Sequence, residues 1–335
     1  MKPHGLRVIA ADAITDWLST HTAALPDLVC ETYLQHAKGK TNNPDSYFLR
    51  FPDDAKNRII ALPCSLEDDK PVSGVKWIAS FPDNIHKGLD RASAVIVMND
   101  RHTGYPVALL EGSQISLART AASATLGALH LHPTPKKVAC MAVVGCGPIA
   151  AATVQQMLAC GFHIEQLVAI DLDRSRAQRF LEKFTASISL RSVESDISAL
   201  SMSDVILFAT SAGIPYVNDA SLFKHHPTVL HISLRDLNPD VIRVAQNFTD
   251  DTAHCLKANT SLHLTVQQDN RMDFIAGTIA DVVEKKVELD WSKTRIYSPF
   301  GMGVLDLAIA REIFEQGDKV RHTTIENFLP LAFAG

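Results

Sequence analysis

The sequence predicts an α/β chain in which a Rossmann-type, doubly wound parallel sheet is joined to a second domain of mixed α+β character. Three observations carry this. The stretch Met141 to Ala150, MAVVGCGPIA, is an apolar run that breaks into glycines and opens a helix-like segment, AATVQQMLACGF. From Val138 to Asp250, strand-like and helix-like segments alternate, the pattern of a parallel sheet covered on both faces. Between Ser46 and Leu110, by contrast, apolar runs are separated only by Asp, Asn, Gly and Pro, as in an antiparallel sheet. A chain of 335 residues is long enough for two such domains.

Taken in order, Asp12 to Leu34 reads as one or two helices, with Trp17, Leu18, Leu25, Leu28, Val29 and Leu34 as core positions. Strand-like runs follow at Ser46–Phe51, Arg58–Leu62, Val72–Ala79 and Ala92–Met98, and the turn Asn99–Pro106 joins the last of these to Val107–Leu110 as a hairpin. Leu117 to Leu131, rich in Ala and Leu and free of proline, predicts a long helix leading into the linker HPTPKK. This linker is the expected boundary, giving a first domain over 1–132 and a dinucleotide-binding domain over 133–304. The last helix, Leu305–Glu315, is expected to return to the first domain, which 305–335 completes.

Composition narrows the function classes. A net charge of −5, with 21% charged and 46% hydrophobic residues and no polybasic tract, argues against nucleic-acid and membrane partners. The six cysteines show no C-x-x-C pairing, which fits a reducing cytoplasm without a disulfide framework or zinc site. Fourteen histidines lack ligand spacing, so no metal is expected. The N-terminal stretch MKPHGLRVIAADAI has no signal-like apolar core, and no apolar segment is long enough to span a bilayer.

The glycine turn has the spacing G-x-G-x-x-A. Gly145 permits the tight turn, Gly147 lets backbone approach a pyrophosphate, Ala150 lets helix pack on strand, and the helix N-terminus faces the phosphates. The second apolar run, QLVAI, ends in Asp171, at about the spacing of the acid that holds the adenosine ribose; such an acid repels a 2′-phosphate and favours NAD over NADP. The competing reading is a structural turn in which Asp171 caps the next helix.

Elsewhere, cations interrupt apolar segments: Arg50 in SYFLRF, Lys76 in GVKWIA and Arg119 at the head of the Ala-rich helix. Any one of these fits an edge position with its head group in water, but three together point to a pocket for an anion. Arg91 and Arg235 are further candidates. Asp236 follows the strand VLHIS, and Thr210 follows VILFA, both at carboxyl ends of parallel strands where ligands gather. Asp236 is a candidate general acid or base, although Asp-Leu-Asn-Pro is equally good turn chemistry.

The Arg50 strand, GVKWIASFPDN, NDRHTGYPVALLEG, ISLARTAASA, VVGCGPIA, FATSAGIP, HISLRDLNPD and GMGVLDLA together resemble the ornithine cyclodeaminase/mu-crystallin family over nearly the whole chain. The resemblance implies a homodimer whose first domain supplies the subunit interface and most of the substrate pocket. It implies that Arg50, Lys76 and Arg119 bind substrate carboxylate, that Asp236 is catalytic with Lys76 near the reacting carbon, and that Gly145, Gly147, Pro148, Ile149, Asp171, Thr210 and Gly301 contact NAD. SYFLRF, NRIIALP, GVKWIASFP and RASAV are most similar to the branch that oxidises an amino-acid conjugate in 2,3-diaminopropionate and siderophore biosynthesis. One position departs from the cyclodeaminases: they carry an acid three residues before the proline of the strand preceding the lysine, and counted back from Pro63 that position is Ile60. The alternatives implied are cyclodeamination, alanine dehydrogenation, ketimine reduction, or dinucleotide binding without catalysis.

Overall fold

The computed structural model describes residues 5–330; residues 1–4 and 331–335, the ends of the expected first domain, lie outside the described residues. The chain forms two compact units, Met1–Arg119 with Met302–Gly335, and Thr120–Gly301. The division falls inside the long helix Ser113–Leu131 and not in the HPTPKK linker. Its reason is packing: Ala124 and Ala128, in the second half of that helix, are buried in the core of the second unit.

In the first unit, β1 (Leu6–Ile9) is followed by α1 (Ala11–His21) and α2 (Leu25–Ala37), then by β2 (Thr41–Asn42), β3 (Tyr47–Phe51), β4 (Asp54–Leu66), β5 (Val72–Ser80), β6 (Ala92–Asp100) and β7 (Pro106–Glu111). Strands β4 to β7 form an antiparallel meander, β3 pairs with β4, and β1 pairs parallel to β7. The sequence reading missed β1 because LRVI is too short to show a period. The C-terminal helix Gly303–Glu315 packs on β4 and β5. A Cβ at Gly74 would lie 3.1 Å from Leu307 and 2.5 Å from the Val97 carbonyl oxygen, so a glycine is needed for this close approach. On the sheet's other face, Tyr47, Leu49, Trp77 and Val95 are exposed, and Tyr47, Ala61, Trp77 and Val95 form one cross-strand row.

In the second unit, the second half of α3 (Ser113–Leu131) leads to β8 (Lys137–Val144), α4 (Pro148–Ala159), β9 (His163–Ile170), α5 (Arg174–Glu182), β10 (Leu190–Glu194), β11 (Val205–Phe208), β12 (Thr228–His231), β13 (Gln246–Thr249), β14 (Ile275–Thr278) and β15 (Arg295–Ser298). The sheet runs β10-β9-β8-β11-β12-β15-β13-β14, with every pair parallel. Met141 and Val143 point to a core shared with α4 and α5, whereas Ala142 and Val144 point to a core with Val217, Leu237 and Val241. Burial on both faces is why these strands read as continuous apolar runs. Strand order reverses at β8 and β11, whose carboxyl ends carry the glycine turn and Thr210. Strands β14 and β15 were not legible, since IAGT and RIYS carry little apolar content.

Candidate active site

At the end of β8 the chain makes a tight turn. Gly145 has φ +87°, and a Cβ there would come within 2.6 Å of the Ala209 carbonyl oxygen, so glycine is required. Gly147 is the residue before α4; a Cβ there would meet nothing within 4 Å, and no side chain caps the helix. With Pro148 in the first turn, the uncapped N-terminus of α4 therefore faces open space, as an anion-binding helix end must. Ile149 is exposed beside it, and Ala150 is buried against the sheet. Asp171 accepts hydrogen bonds from the backbone N–H of Cys146 (2.8 Å) and Asp173 (2.9 Å), and Arg176 stands 3.6 Å away. The cap of α5 is Asp173, whose carboxylate accepts from Ser175 and Arg176. Asp171 thus ties the glycine turn to the end of β9, and about two of a carboxylate's four acceptor sites remain for a ribose. These features fit a dinucleotide.

Asp236 is completely buried, at 0% exposure. Its Oδ1 accepts from the Thr210 hydroxyl at 2.5 Å and from the Tyr216 phenol at 3.1 Å. Its Oδ2 accepts from the Ser233 hydroxyl and lies 3.2 Å from His231 Nε2. Burial by itself would raise this carboxyl, but the bonds from His231, Ser233 and Thr210 outweigh burial and hold it below the ordinary carboxylate range. The phenol of Tyr216 is pushed upward by burial and by the neighbouring Asp236 charge, so it stays protonated and donates. Tyr216 is itself exposed, and so forms the outward end of this network. Farther along the sheet, Gly301 (φ +89°) and Phe300 donate their backbone N–H groups to Asp250, at 2.7 and 2.8 Å.

In the first unit, Lys76 is 3% exposed, and its ammonium donates to Asp306 Oδ2 at 2.6 Å and to the Ser116 hydroxyl at 3.1 Å. Arg119 Nε reaches the other oxygen, Asp306 Oδ1, at 3.4 Å. Burial pulls Lys76 down to about 8, with Asp306 opposing and Arg119 adding to the shift. Of the three cations that the sequence groups together, Lys76 and Arg119 meet on one carboxylate, Asp306, which the sequence reading did not include. Arg50 lies on the same face of the sheet as Lys76, two strands away, exposed, with its guanidinium over the Phe48 ring at 5.1 Å. Arg91 is exposed just before β6, and Arg235 donates to the Ala258 carbonyl at 2.7 and 3.2 Å. None of these three arginines shares a bonding partner with Lys76. Ile60 pairs with Phe48 and Ile78, an apolar setting.

Asp306, Tyr216, His231, Ser233 and Asp250 were not singled out from sequence. A signal existed only for Asp306, an acid inside the apolar run GVLDLAIA, by the reasoning already applied to the cations.

Comparison with known proteins supplies the remaining observations. At 28% identity over 312 residues, the chain is similar to the N-((2S)-2-amino-2-carboxyethyl)-L-glutamate dehydrogenase of Staphylococcus aureus, spanning 89% of this chain and 91% of that protein. It is 24% identical to the alanine dehydrogenase of Archaeoglobus fulgidus, over 85% and 87% of the two chains. Among solved structures, the Thermococcus litoralis Δ1-pyrroline-2-carboxylate reductase, in complex with NADH and L-proline, matches with a TM-score of 0.85 and 21% identity, over 95% of this chain and 100% of that one. An archaeal alanine dehydrogenase dimer with bound NAD matches at 0.83 and 21% identity, over 96% and 99%. The profile of the ornithine cyclodeaminase/mu-crystallin family matches residues 17–320, across both units, and the chain belongs to that family.

Proposed function

We propose that this chain is an NAD-dependent oxidoreductase acting on a CH–NH bond, and that it converts N-(2-amino-2-carboxyethyl)-L-glutamate to L-2,3-diaminopropionate and 2-oxoglutarate. The observation that carries the substrate class is the pair of cations, buried Lys76 and half-buried Arg119, beside a sheet face on which Ile60 stands where a cyclodeaminase needs an acid. The cations suit carboxylates, and the apolar Ile60 leaves the distal amine of ornithine without a counter-charge. The similarity to the staphylococcal dehydrogenase supports the particular conjugate.

In this reaction hydride leaves the glutamate Cα and a proton leaves the secondary amine, forming a C=N bond. Water adds to its carbon, and the C–N bond then breaks, with the nitrogen retained by 2,3-diaminopropionate. NAD, when bound, accepts the hydride. Gly145, Gly147, Pro148, Ile149, Asp171, Thr210 and Gly301 would hold it. Lys76 and Arg119 bind the carboxylate next to the reacting carbon, and the exposed Arg50 and Arg91 are available for the others. Arg235 is partly committed to Ala258. Asp236 takes up the amine proton, and because it is covered, the exchange runs through the hydroxyls bonded to it, Thr210 and Tyr216. The protein's contribution is otherwise positioning.

Four large apolar side chains, Tyr47, Leu49, Trp77 and Val95, are exposed on one sheet face, with Tyr47 at 74%, and clustered exposed apolar groups mark interaction surfaces. A second copy of this chain covers that face in our reading, as a homodimer, in line with the archaeal dimer. Six cysteines without a disulfide fit a cytoplasmic setting, and diaminopropionate supply fits siderophore or related biosynthesis. Among the described residues no helix is long and apolar enough to cross a membrane.

The test is to incubate purified protein and NAD with the conjugate, L-alanine, L-proline and L-ornithine, following NADH and 2-oxoglutarate. NADH and 2-oxoglutarate formed in equal amounts from the conjugate are expected. Faster NADH formation from alanine or proline would replace the substrate, and tight cofactor binding without turnover of any amine would defeat the enzymatic reading.

A further inference from the structure

A lysine, an arginine and an aspartate in one buried cluster are costly to desolvate, and well-packed apolar side chains in their place are often as stable or more so. Stability therefore does not account for the cluster. Its charge count is more informative. Lys76 and Arg119 share the single carboxylate of Asp306, one cation on each oxygen. Cys64, the other titratable group acting on Lys76, is pushed up to about 12 by burial and contributes no charge. Ser116 is neutral. The cluster thus holds two positive charges against one negative, and is one carboxylate short of neutral.

We propose that Asp306 is a positioning residue for substrate capture: by bridging Lys76 and Arg119 it holds both head groups side by side to receive one further carboxylate, that of an α-amino or α-imino acid. This rests on the reading above, in which Lys76 and Arg119 bind substrate. Asp306 suits the task because its helix residue is itself 0% exposed, so it cannot swing away, and because Gly303, one turn earlier, lets this helix close on β4 with Leu62 about 3.1 Å from where a Cβ would stand. The titration of Lys76 agrees with the geometry. Groups from β4, α3 and the C-terminal helix face it, namely Cys64, Arg119 and Asp306, and among the described residues that act on it only Asp306 is anionic. Lys76 loses its proton near about 8, so above that pH the cluster no longer lacks an anion. A bound carboxylate should restore the proton.

The experiment uses NADH-loaded full-length protein with 2-oxoglutarate and L-glutamate as probes, by calorimetry from about pH 6.5 to 9.5 in buffers of different ionisation enthalpy. In the wild type, affinity should fall above about pH 8, by up to roughly tenfold per pH unit, with proton uptake on binding. In Asp306→Asn, burial of Lys76 is unopposed, so the midpoint should move down by about two pH units and affinity at neutral pH should fall roughly tenfold. A purely structural Asp306 would lower thermal stability and leave the midpoint where it was, which overturns the proposal. Should Asp306→Asn not fold, the 13Cε signal of Lys76 in the wild type, assigned with Lys76→Met, replaces it: a titration raised by 2-oxoglutarate supports the proposal and an unmoved one defeats it. Absence of any pH-coupled binding in the wild type also defeats it. Failure to oxidise the conjugate, with this coupling intact, would instead remove only the substrate assignment.

Discussion

Each unit buries one aspartate at its functional cluster, and the two are satisfied in opposite ways. Asp306 lies between two cations, Lys76 and Arg119, and there the carboxylate fixes the positions of charged groups. Asp236 lies among hydroxyls and an imidazole, and there the donors fix the carboxylate. In the function we propose, one cluster holds charges in place for a substrate, and the other holds a proton acceptor ionised while neutral groups pass the proton. Their pH responses differ accordingly. Asp236 sits below its ordinary value in the folded state, so it contributes stability that is present above the unfolded carboxyl range and lost as pH falls through the folded one. Lys76 sits near about 8 against an ordinary 10.5, so the unfolded chain binds the extra proton between those values, and this group makes stability rise with pH across that window.

The largest expected effect tests the proton-handling side. Asp236→Asn should cost about 10²–10⁴-fold in kcat while NADH titration shows unchanged affinity. An unchanged kcat would return Asp236 to a turn residue. On the charge-holding side, Lys76→Met leaves Asp306 with half its pairing, so chemical denaturation should show a loss of about 3–5 kcal/mol, and catalytic efficiency should fall roughly tenfold to a hundredfold. Adding Asp306→Leu to Lys76→Met should recover much of that stability and none of the efficiency; recovery of both would mean the pair is structural.

The glycine turn allows a finer contrast. Gly145→Ala forces a side chain into left-handed backbone and against the Ala209 carbonyl, so a loss of about 1–2 kcal/mol or more in stability is expected. Gly147→Ala meets open space, so thermal stability should hold while NAD affinity falls. Equal behaviour of the two would remove the assignment of that space to a pyrophosphate. Tyr216→Phe deletes a bond from a neutral donor to the Asp236 carboxylate, worth about 1.5–3 kcal/mol, and should lower kcat roughly tenfold with KM little changed. Arg50→Met, on an exposed strand, should raise KM by only a few-fold, since exposed charge pairs are worth about 0–1 kcal/mol. A loss as large as that of Lys76→Met would show that Arg50 becomes buried when ligand or a second subunit is present.

Much was legible because it is local. The parallel sheet announced itself in runs such as VACMAVV and QLVAI, since strands buried on both faces must be apolar throughout, and Gly145 was legible because a left-handed turn under a carbonyl admits no side chain. The cations Lys76 and Arg119 stood out because charge inside an apolar segment needs a reason. What supplied that reason was not legible. Asp306 meets Lys76 across 230 residues of chain and Arg119 across 187, and no spacing rule connects positions so far apart. The donors around Asp236 likewise come from two places in the chain, the segment after β11 that carries Thr210 and Tyr216 and the end of β12 with His231 and Ser233, brought together only by the pairing of β11 with β12. Sequence by itself determined the elements, the glycine turn and the oddly placed charges, because each follows from near-neighbour backbone sterics and the cost of burying polarity. Only tertiary structure decided which charges are paired and which hydroxyls serve Asp236, because hydrogen bonds and ion pairs act over about 3 Å in space and are indifferent to distance along the chain.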